Sequence, residues 1–116
     1  GDPEGRDVLI VDDMVQSGGT MLECVSLLGA KGALSVSCYV THGVFPNDSW
    51  QRFTDEEMVK AGRKPLRSFM LTDSIPRTTT KLAGVKPFRV LSLAKRLAVL
   101  LTEAPPGTPV VGASSS

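Results

Sequence analysis

Near the start of the chain an apolar run, two adjacent acids and a loop of small residues follow one another, and this succession most constrains the fold. Residues 8–11 are apolar, mostly β-branched and without alternation, which is typical of a strand covered on both faces of a parallel sheet. Asp12 and Asp13 come next, at the start of a loop that we expect to run to residue 19. Residues 20–31 repeat apolar side chains every three or four positions, which predicts a helix. The sequence therefore predicts a strand that turns directly into a helix.

The rest of the chain continues to alternate strands and helices. Gly32 predicts a left-handed stop for the first helix, and the alternation over residues 34–41 predicts a second strand. A strand–helix–strand unit of this kind is right-handed in nearly all known proteins. We further expect a helix capped at 47–49 and ending near 60, strands over 68–72 and 88–91, a loop over 73–87, and a last helix over 93–102. The fold class that we predict is α/β, with a mostly parallel sheet and flanking helices.

The size and charge of the chain restrict its organisation and its partners. A chain of 116 residues suffices for one small domain, which we expect over residues 1–103. Pro, Gly and Ser dominate residues 104–116, where we expect disorder. The net charge of +1 argues against nucleic acid or a membrane surface as a partner. Because the chain opens with a turn-rich stretch that leads directly into a strand, we expect it to be a piece of a longer protein.

The two cysteines indicate a compartment. Cys24 and Cys38 are too few for a disulfide framework, and both lie in apolar surroundings. We expect two reduced, buried thiols, which fit a reducing compartment, and predict a cytoplasmic protein.

The two acids occupy a position where ligand sites are common. In an open α/β sheet, ligands bind beyond the carboxyl ends of the strands, and Asp12 and Asp13 end the first predicted strand. Adjacent carboxylates repel each other unless donors or a cation compensate. The hydroxyls of a ribose supply donors, and a Mg²⁺ ion with its retained waters supplies positive charge. We expect both aspartates to bind sugar hydroxyls and to hold Mg²⁺ through water.

The loop after the acids has the composition of an anion site. It consists of Gln16, Ser17, Gly18, Gly19 and Thr20. Glycines let backbone N–H groups turn toward one point, the hydroxyls add donors, and a helix start adds about half a positive charge. A phosphate monoester fits this cradle, and a ribose 5-phosphate spans the gap to the acids. A plain turn with aspartate caps explains each part alone, but it does not explain the parts joined at this spacing.

At this point the residues resemble the phosphoribosyl-pyrophosphate signature of the type I phosphoribosyltransferase fold. Four later segments resemble, in order, the C-terminal half of ribose-phosphate pyrophosphokinases; they cover residues 30–33, 39–45, 72–76 and 90–94. The resemblance extends over about residues 1–102.

The resemblance implies that ATP and ribose 5-phosphate give phosphoribosyl pyrophosphate and AMP, for nucleotide biosynthesis. It carries sugar binding over to Asp12 and Asp13 and phosphate binding to the loop. The family's ATP loops, directly metal-ligating residues and mobile catalytic segment belong to sequence before Gly1, so no catalytic residue is expected here. The segment alone is expected to be inactive, and the full-length protein to be a homo-oligomer. Gln16 stands where the usual synthetases carry Asp. In this respect the loop resembles that of the plant-type synthetases, which do not require free phosphate.

Two other functions stay open. One is a phosphoribosyltransferase that consumes phosphoribosyl pyrophosphate, although no segment plausibly forms its base-recognition hood. The other is a non-catalytic subunit that regulates synthetase partners.

Several other side chains admit a functional and a structural interpretation. His42 is either an acid–base group or a residue that orders its turn, and the second is preferred. Packing is preferred for Trp50 and Phe53, and a polar loop for residues 78–80. Basic residues that form either a phosphate patch or, as preferred, a solvated loop are Arg63, Lys64 and Arg67. Asp73 and Ser74 lie at the end of another predicted strand, and the sequence leaves open whether they border the sugar-phosphate site.

Overall fold

The sheet of this protein is built entirely from parallel strands, as the computed structural model shows for residues 3–92 and 110–112. The elements, in chain order, are β1 (Asp7–Val15), α1 (Gly19–Ala30), β2 (Ser35–Gly43), a 3-10 helix (Pro46–Phe53), α2 (Asp55–Lys60), β3 (Ser68–Thr72), α3 (Pro76–Leu82), β4 (Phe88–Leu91) and β5 (Val110–Gly112). The strands lie in the order β4-β3-β2-β1-β5. The predicted α/β class with a parallel sheet and flanking helices is confirmed. None of the helices in these residues has the length and hydropathy needed to cross a bilayer.

The first strand is longer than the sequence predicts. β1 continues through both acids to Val15, because β2 also continues and offers it partners as far as Gly43. Asp12 lies opposite Val40, and Met14 lies opposite His42. The prediction of a loop from residue 12 is therefore wrong, and both acids belong to the strand. The connection to α1 consists of residues 16–18.

The main core lies between one face of the sheet and the helices α1 and α2. Ile10, Cys38 and Phe69 come from three neighbouring strands and are fully buried there. Phe53 is also fully buried and packs edge-to-face on Phe69, with 5.0 Å between ring centroids. Trp50 packs edge-to-face on a further ring of this cluster. The interpretation of Trp50 and Phe53 as packing residues is confirmed.

The predicted helix over residues 49–60 is interrupted. A 3-10 helix ends at Phe53, and α2 begins at Asp55. Thr54 separates them: its hydroxyl accepts the N–H of Glu57 at 3.4 Å and donates to the carbonyl of Gln51 at 2.9 Å. Threonine followed three residues later by glutamate is an N-cap pattern, which the apolar spacing concealed.

The predicted loop over residues 73–87 contains helix α3. Proline at its first position has a preset φ and needs no N–H donor there. Thr78 and Thr79 are buried on this helix, and the Thr78 hydroxyl donates to the carbonyl of Val44 at 3.0 Å. The prediction of a polar loop at residues 78–80 is wrong, because these residues lie in α3 and their hydroxyls donate to backbone carbonyls.

The chain end differs in part from its expectation. Val110–Gly112 forms β5 and pairs with β1 from Leu9 to Val11, although we expected disorder over residues 104–116. Two β-branched valines favour the extended conformation, and β1 offers them a row of backbone partners. The predicted helix over residues 93–102 lies outside the described residues.

Candidate functional site

The connection from β1 to α1 is shaped by Gly18. Its φ of +87° lies in the left-handed region, which a residue with a side chain rarely adopts. Its carbonyl accepts the N–H of Leu22 at 2.9 Å and so opens α1. Within the described chain no side chain caps this helix, and its first turn holds no acid. The helix start therefore keeps its positive end directed at the connection.

The two acids lie in the carboxyl-terminal half of β1 and are followed in the strand by Met14 and Val15. Asp12 is half-buried and Asp13 is exposed. Successive strand residues point to opposite faces, so the strand itself separates the two carboxylates. Asp12 Oδ1 accepts the backbone N–H of Asp13 at 2.8 Å. These positions leave both side chains at the edge of the sheet, beside the loop.

In the loop between the acids and the helix, Gly18 is buried and the residues around it are at least partly exposed. Gln16 and Ser17 are exposed, and Gly19 and Thr20 are half-buried at the start of α1. Gln16 Nε2 reaches the sulfur of Met14 at 4.0 Å. The structure thus brings all seven residues predicted for the site to one strand–loop–helix unit.

A second polar cluster lies at the ends of β2 and β3. His42 Nδ1 is 2.8 Å from the Ser74 hydroxyl, and that hydroxyl donates to the carbonyl of Thr41 at 3.1 Å. Because the hydroxyl has one hydrogen, both contacts form together when His42 carries its ring hydrogen on Nδ1. Thr72 donates to the same carbonyl. This network agrees with His42 as a residue that orders the strand end, and it brings Ser74 to the carboxyl edge of the sheet.

The three basic residues considered as a phosphate patch lie elsewhere. Arg63 Nε donates to the Ser26 hydroxyl at 2.7 Å, and Lys64 donates to a backbone carbonyl before β2. Arg67 pairs with Asp7 at 3.7 Å, where β1 begins. They are at the amino ends of the strands, on the side opposite the loop.

One contact of the site was missed by sequence reasoning. The guanidinium of Arg52 donates from Nη2 to the carbonyl of Ser17, within the candidate phosphate loop. Next to it, the ring of Phe53 lies so close to Gly18 that a methyl group there would be 2.5 Å from Phe53 Cε2. Some 35 residues separate the two segments, and no local pattern reports a contact over that separation.

These features define the class of protein. It is an α/β domain with a parallel sheet and a candidate site on the strand–loop–helix unit, at the carboxyl ends of the strands. The phosphoribosyl transferase domain family matches residues 1–66, and the chain belongs to this family.

The relatives of this chain include plant ribose-phosphate pyrophosphokinases. It is 50% identical over 101 residues to ribose-phosphate pyrophosphokinase 3, mitochondrial, of Spinacia oleracea. The aligned residues cover 87% of this chain and 25% of that protein. It is 50% identical over 98 residues to ribose-phosphate pyrophosphokinase 4 of Arabidopsis thaliana, which covers 84% of this chain and 28% of that protein. The chain thus spans about a quarter of the length of these curated relatives.

A solved structure shares the fold. The crystal structure of phosphoribosylpyrophosphate synthetase from Mycobacterium smegmatis matches 90% of this chain and 33% of its own, with a TM-score of 0.58 and 30% identity. The predicted phosphoribosyltransferase-like fold and the resemblance to pyrophosphokinases are confirmed.

Proposed function

We propose that this chain is the ribose 5-phosphate-binding part of a ribose-phosphate pyrophosphokinase, which transfers diphosphate from ATP to ribose 5-phosphate. The observation that carries the proposal is the strand–loop–helix unit of residues 7–30. In it, two acids near the end of β1 are followed by left-handed Gly18 and by α1, which no side chain among the described residues caps. The names of the relatives support the activity. The site for ATP and the catalytic groups are assigned to other parts of the longer protein.

The phosphate of the ligand is assigned to the loop and the start of α1. The residues assigned to it are Gln16, Ser17, Gly18, Gly19 and Thr20, which carry backbone N–H groups, one side-chain amide and two hydroxyls. A phosphate here meets the positive end of the helix dipole. Gln16 carries no charge, so it does not repel a phosphate dianion as an aspartate would.

The sugar is assigned to the acids. Asp12 and Asp13 accept hydrogen bonds from the ribose hydroxyls, which orients the sugar with its 1-hydroxyl toward the place where ATP enters. Fixed orientation of the attacking hydroxyl toward the β-phosphorus is the main contribution that a binding domain can make to such a transfer.

The same acids fit Mg²⁺ through water. In residues 3–92 and 110–112, no group of three or more His, Cys, Asp or Glu side chains is placed to hold a metal directly. Mg²⁺ keeps several waters in most sites, and each of the two carboxylates can accept hydrogen bonds from such waters on its own side of β1. When bound, the ion supplies positive charge beside the phosphate groups.

A phosphoribosyltransferase is the second candidate, because the matching family is described only as a phosphoribosyl transferase domain. It would use the same loop and acids on phosphoribosyl pyrophosphate. A regulatory subunit without activity is the third.

We propose the cytoplasm as the compartment of this protein, because Cys24 and Cys38 are free thiols. The alternative is the mitochondrion, which the name of the spinach relative gives. We also propose that the longer protein forms a homo-oligomer.

Calorimetry on the purified protein tests the site. Ribose 5-phosphate is expected to bind, more tightly with Mg²⁺ than without, and ATP is not expected to bind. Asp12→Asn with Asp13→Asn should weaken binding and remove most of the Mg²⁺ effect, because a neutral amide attracts the ion and its waters less strongly than a carboxylate does.

Glu56→Gln is the control, since it makes the same carboxylate-to-amide change at an exposed residue of α2 that pairs with Lys60. It should leave the isotherm unchanged. A wild-type protein that shows no heat with ribose 5-phosphate at millimolar concentration would refute the site. An aspartate variant that binds as the wild type does would refute the role of the acids.

A further inference from the structure

The 3-10 helix seats an arginine on the candidate phosphate loop. Arg52 Nη2 donates to the Ser17 carbonyl, and Nη2 also lies 3.8 Å from the position that a Cβ on Gly18 would take. In residues 3–92, Arg52 takes part in none of the ion pairs. Among the described residues, no ion pair neutralises this charge beside the loop.

The backbone that carries Arg52 is held firmly. Its neighbour Phe53 is fully buried against Phe45 and Phe69, with centroid distances of 5.9 Å and 5.0 Å. The preceding Gln51 accepts hydrogen bonds from the backbone and hydroxyl of Thr54 at 3.2 Å and 2.9 Å. The guanidinium thus projects from a rigid segment toward a glycine that contacts the same segment.

A comparison of charges shows what the loop lacks. A phosphate monoester carries about −1.5 to −2 charges at neutral pH, and a helix start offers about +0.5. The loop of residues 16–20 contains no lysine or arginine. A positive charge beside the loop would strengthen the binding of a phosphate dianion, and Arg52 lies where it can supply one. A guanidinium has five donors in a fork, so one bond to Ser17 leaves others for phosphate oxygens.

We propose that Arg52 is a phosphate-binding residue of this site: its guanidinium bridges the Ser17 carbonyl and an oxygen of the 5-phosphate. This assignment rests on the proposed function, because it takes ribose 5-phosphate as the ligand. It makes the site selective for a phosphate dianion over a neutral sugar. It also adds a residue from the segment after β2 to a site otherwise built from β1 and α1.

Titration of the purified protein with ribose 5-phosphate at pH 5.5 and pH 7.5 tests the assignment. The wild type should bind more tightly at pH 7.5, because the phosphate loses its second proton near pH 6. Arg52→Gln should weaken binding about 10- to 100-fold at pH 7.5, as expected for one lost hydrogen bond between charged groups. It should also flatten the pH dependence, since the charge that senses the second proton is gone. Arg52→Lys keeps the charge and should bind within a few-fold of the wild type.

Arg63→Gln is the matched control. It removes the same charge and a hydrogen bond to a serine, at the opposite edge of the sheet, and should leave both titrations unchanged. If the wild type binds and Arg52→Gln binds equally well, the assignment of Arg52 is overturned and the proposed function is not. Equal weakening by Gln and Lys, with an intact pH dependence, also overturns it, because Arg52 then only shapes the loop. No binding by the wild type overturns the proposed function, and this assignment with it.

Discussion

Replacing Gly18 by alanine tests the geometry of the candidate site without any ligand. The φ of +87° at this position costs a residue with a Cβ about 1–2 kcal/mol. The added methyl would also lie 2.5 Å from Cε2 and 2.6 Å from Cζ of Phe53. That ring is fully buried among other aromatic side chains and cannot move aside freely. Overpacking of this kind costs about 1–3 kcal/mol, so Gly18→Ala should lower the unfolding free energy by about 2–5 kcal/mol.

Two other glycines of the same helix provide the comparison. Gly19 begins α1 without a positive φ, and a methyl there would meet nothing nearer than Ser17 Oγ at 4.0 Å. Gly29 has no atom within 4 Å of such a methyl. Gly19→Ala should be close to neutral, and Gly29→Ala should stabilise by about 0.5–1 kcal/mol because alanine favours the helix.

The assay is urea unfolding of each variant, followed by circular dichroism and by the fluorescence of Trp50, the single tryptophan. A Phe53→Leu background separates the two contributions: without the ring, Gly18→Ala should cost only the 1–2 kcal/mol of the left-handed backbone. If Gly18→Ala unfolds at the same urea concentration as Gly19→Ala, the described conformation of the loop is wrong.

Two further predictions concern thiols and acid stability. Burial raises the pKa of the fully buried Cys38 thiol strongly, and partial burial also raises the pKa of the Cys24 thiol. In the folded protein at pH 8, a thiol reagent should therefore label Cys24 slowly and Cys38 only after unfolding. Mass spectrometry reads the sites, and native labelling that persists in Cys24→Ser would contradict the burial of Cys38. The ammonium of Lys81 lies 2.7 Å from Asp48 and lowers the pKa of that carboxyl. The pair therefore stabilises the fold at any pH above the ordinary aspartate pKa, and this stabilisation is lost as the pH falls through the lowered pKa of Asp48. The difference in unfolding free energy between wild type and Asp48→Asn should therefore be constant near neutral pH and shrink in acid; a constant difference down to pH 2 would count against the pair.

Much of the fold followed from local pattern. The strands over residues 8–11, 34–41, 68–72 and 88–91 and the first helix are present, because their apolar spacing is read over neighbouring residues. Errors arose where two local signals competed. The cap at Thr54 lies inside an apolar pattern, and α3 is itself a polar stretch whose threonines donate to backbone carbonyls.

The sequence by itself determined the parallel α/β class, the strand-to-helix turn and the seven residues gathered there, because apolar periodicity, acids and glycines act over a few neighbouring positions. The tertiary structure alone decided that β1 extends through Asp12 and Asp13, since a strand ends where its partner β2 stops offering hydrogen bonds. It also decided that Phe53 and Arg52 close on Gly18 and Ser17. Those contacts join segments about 35 residues apart, and only packing of the aromatic core fixes which side chains meet over that separation.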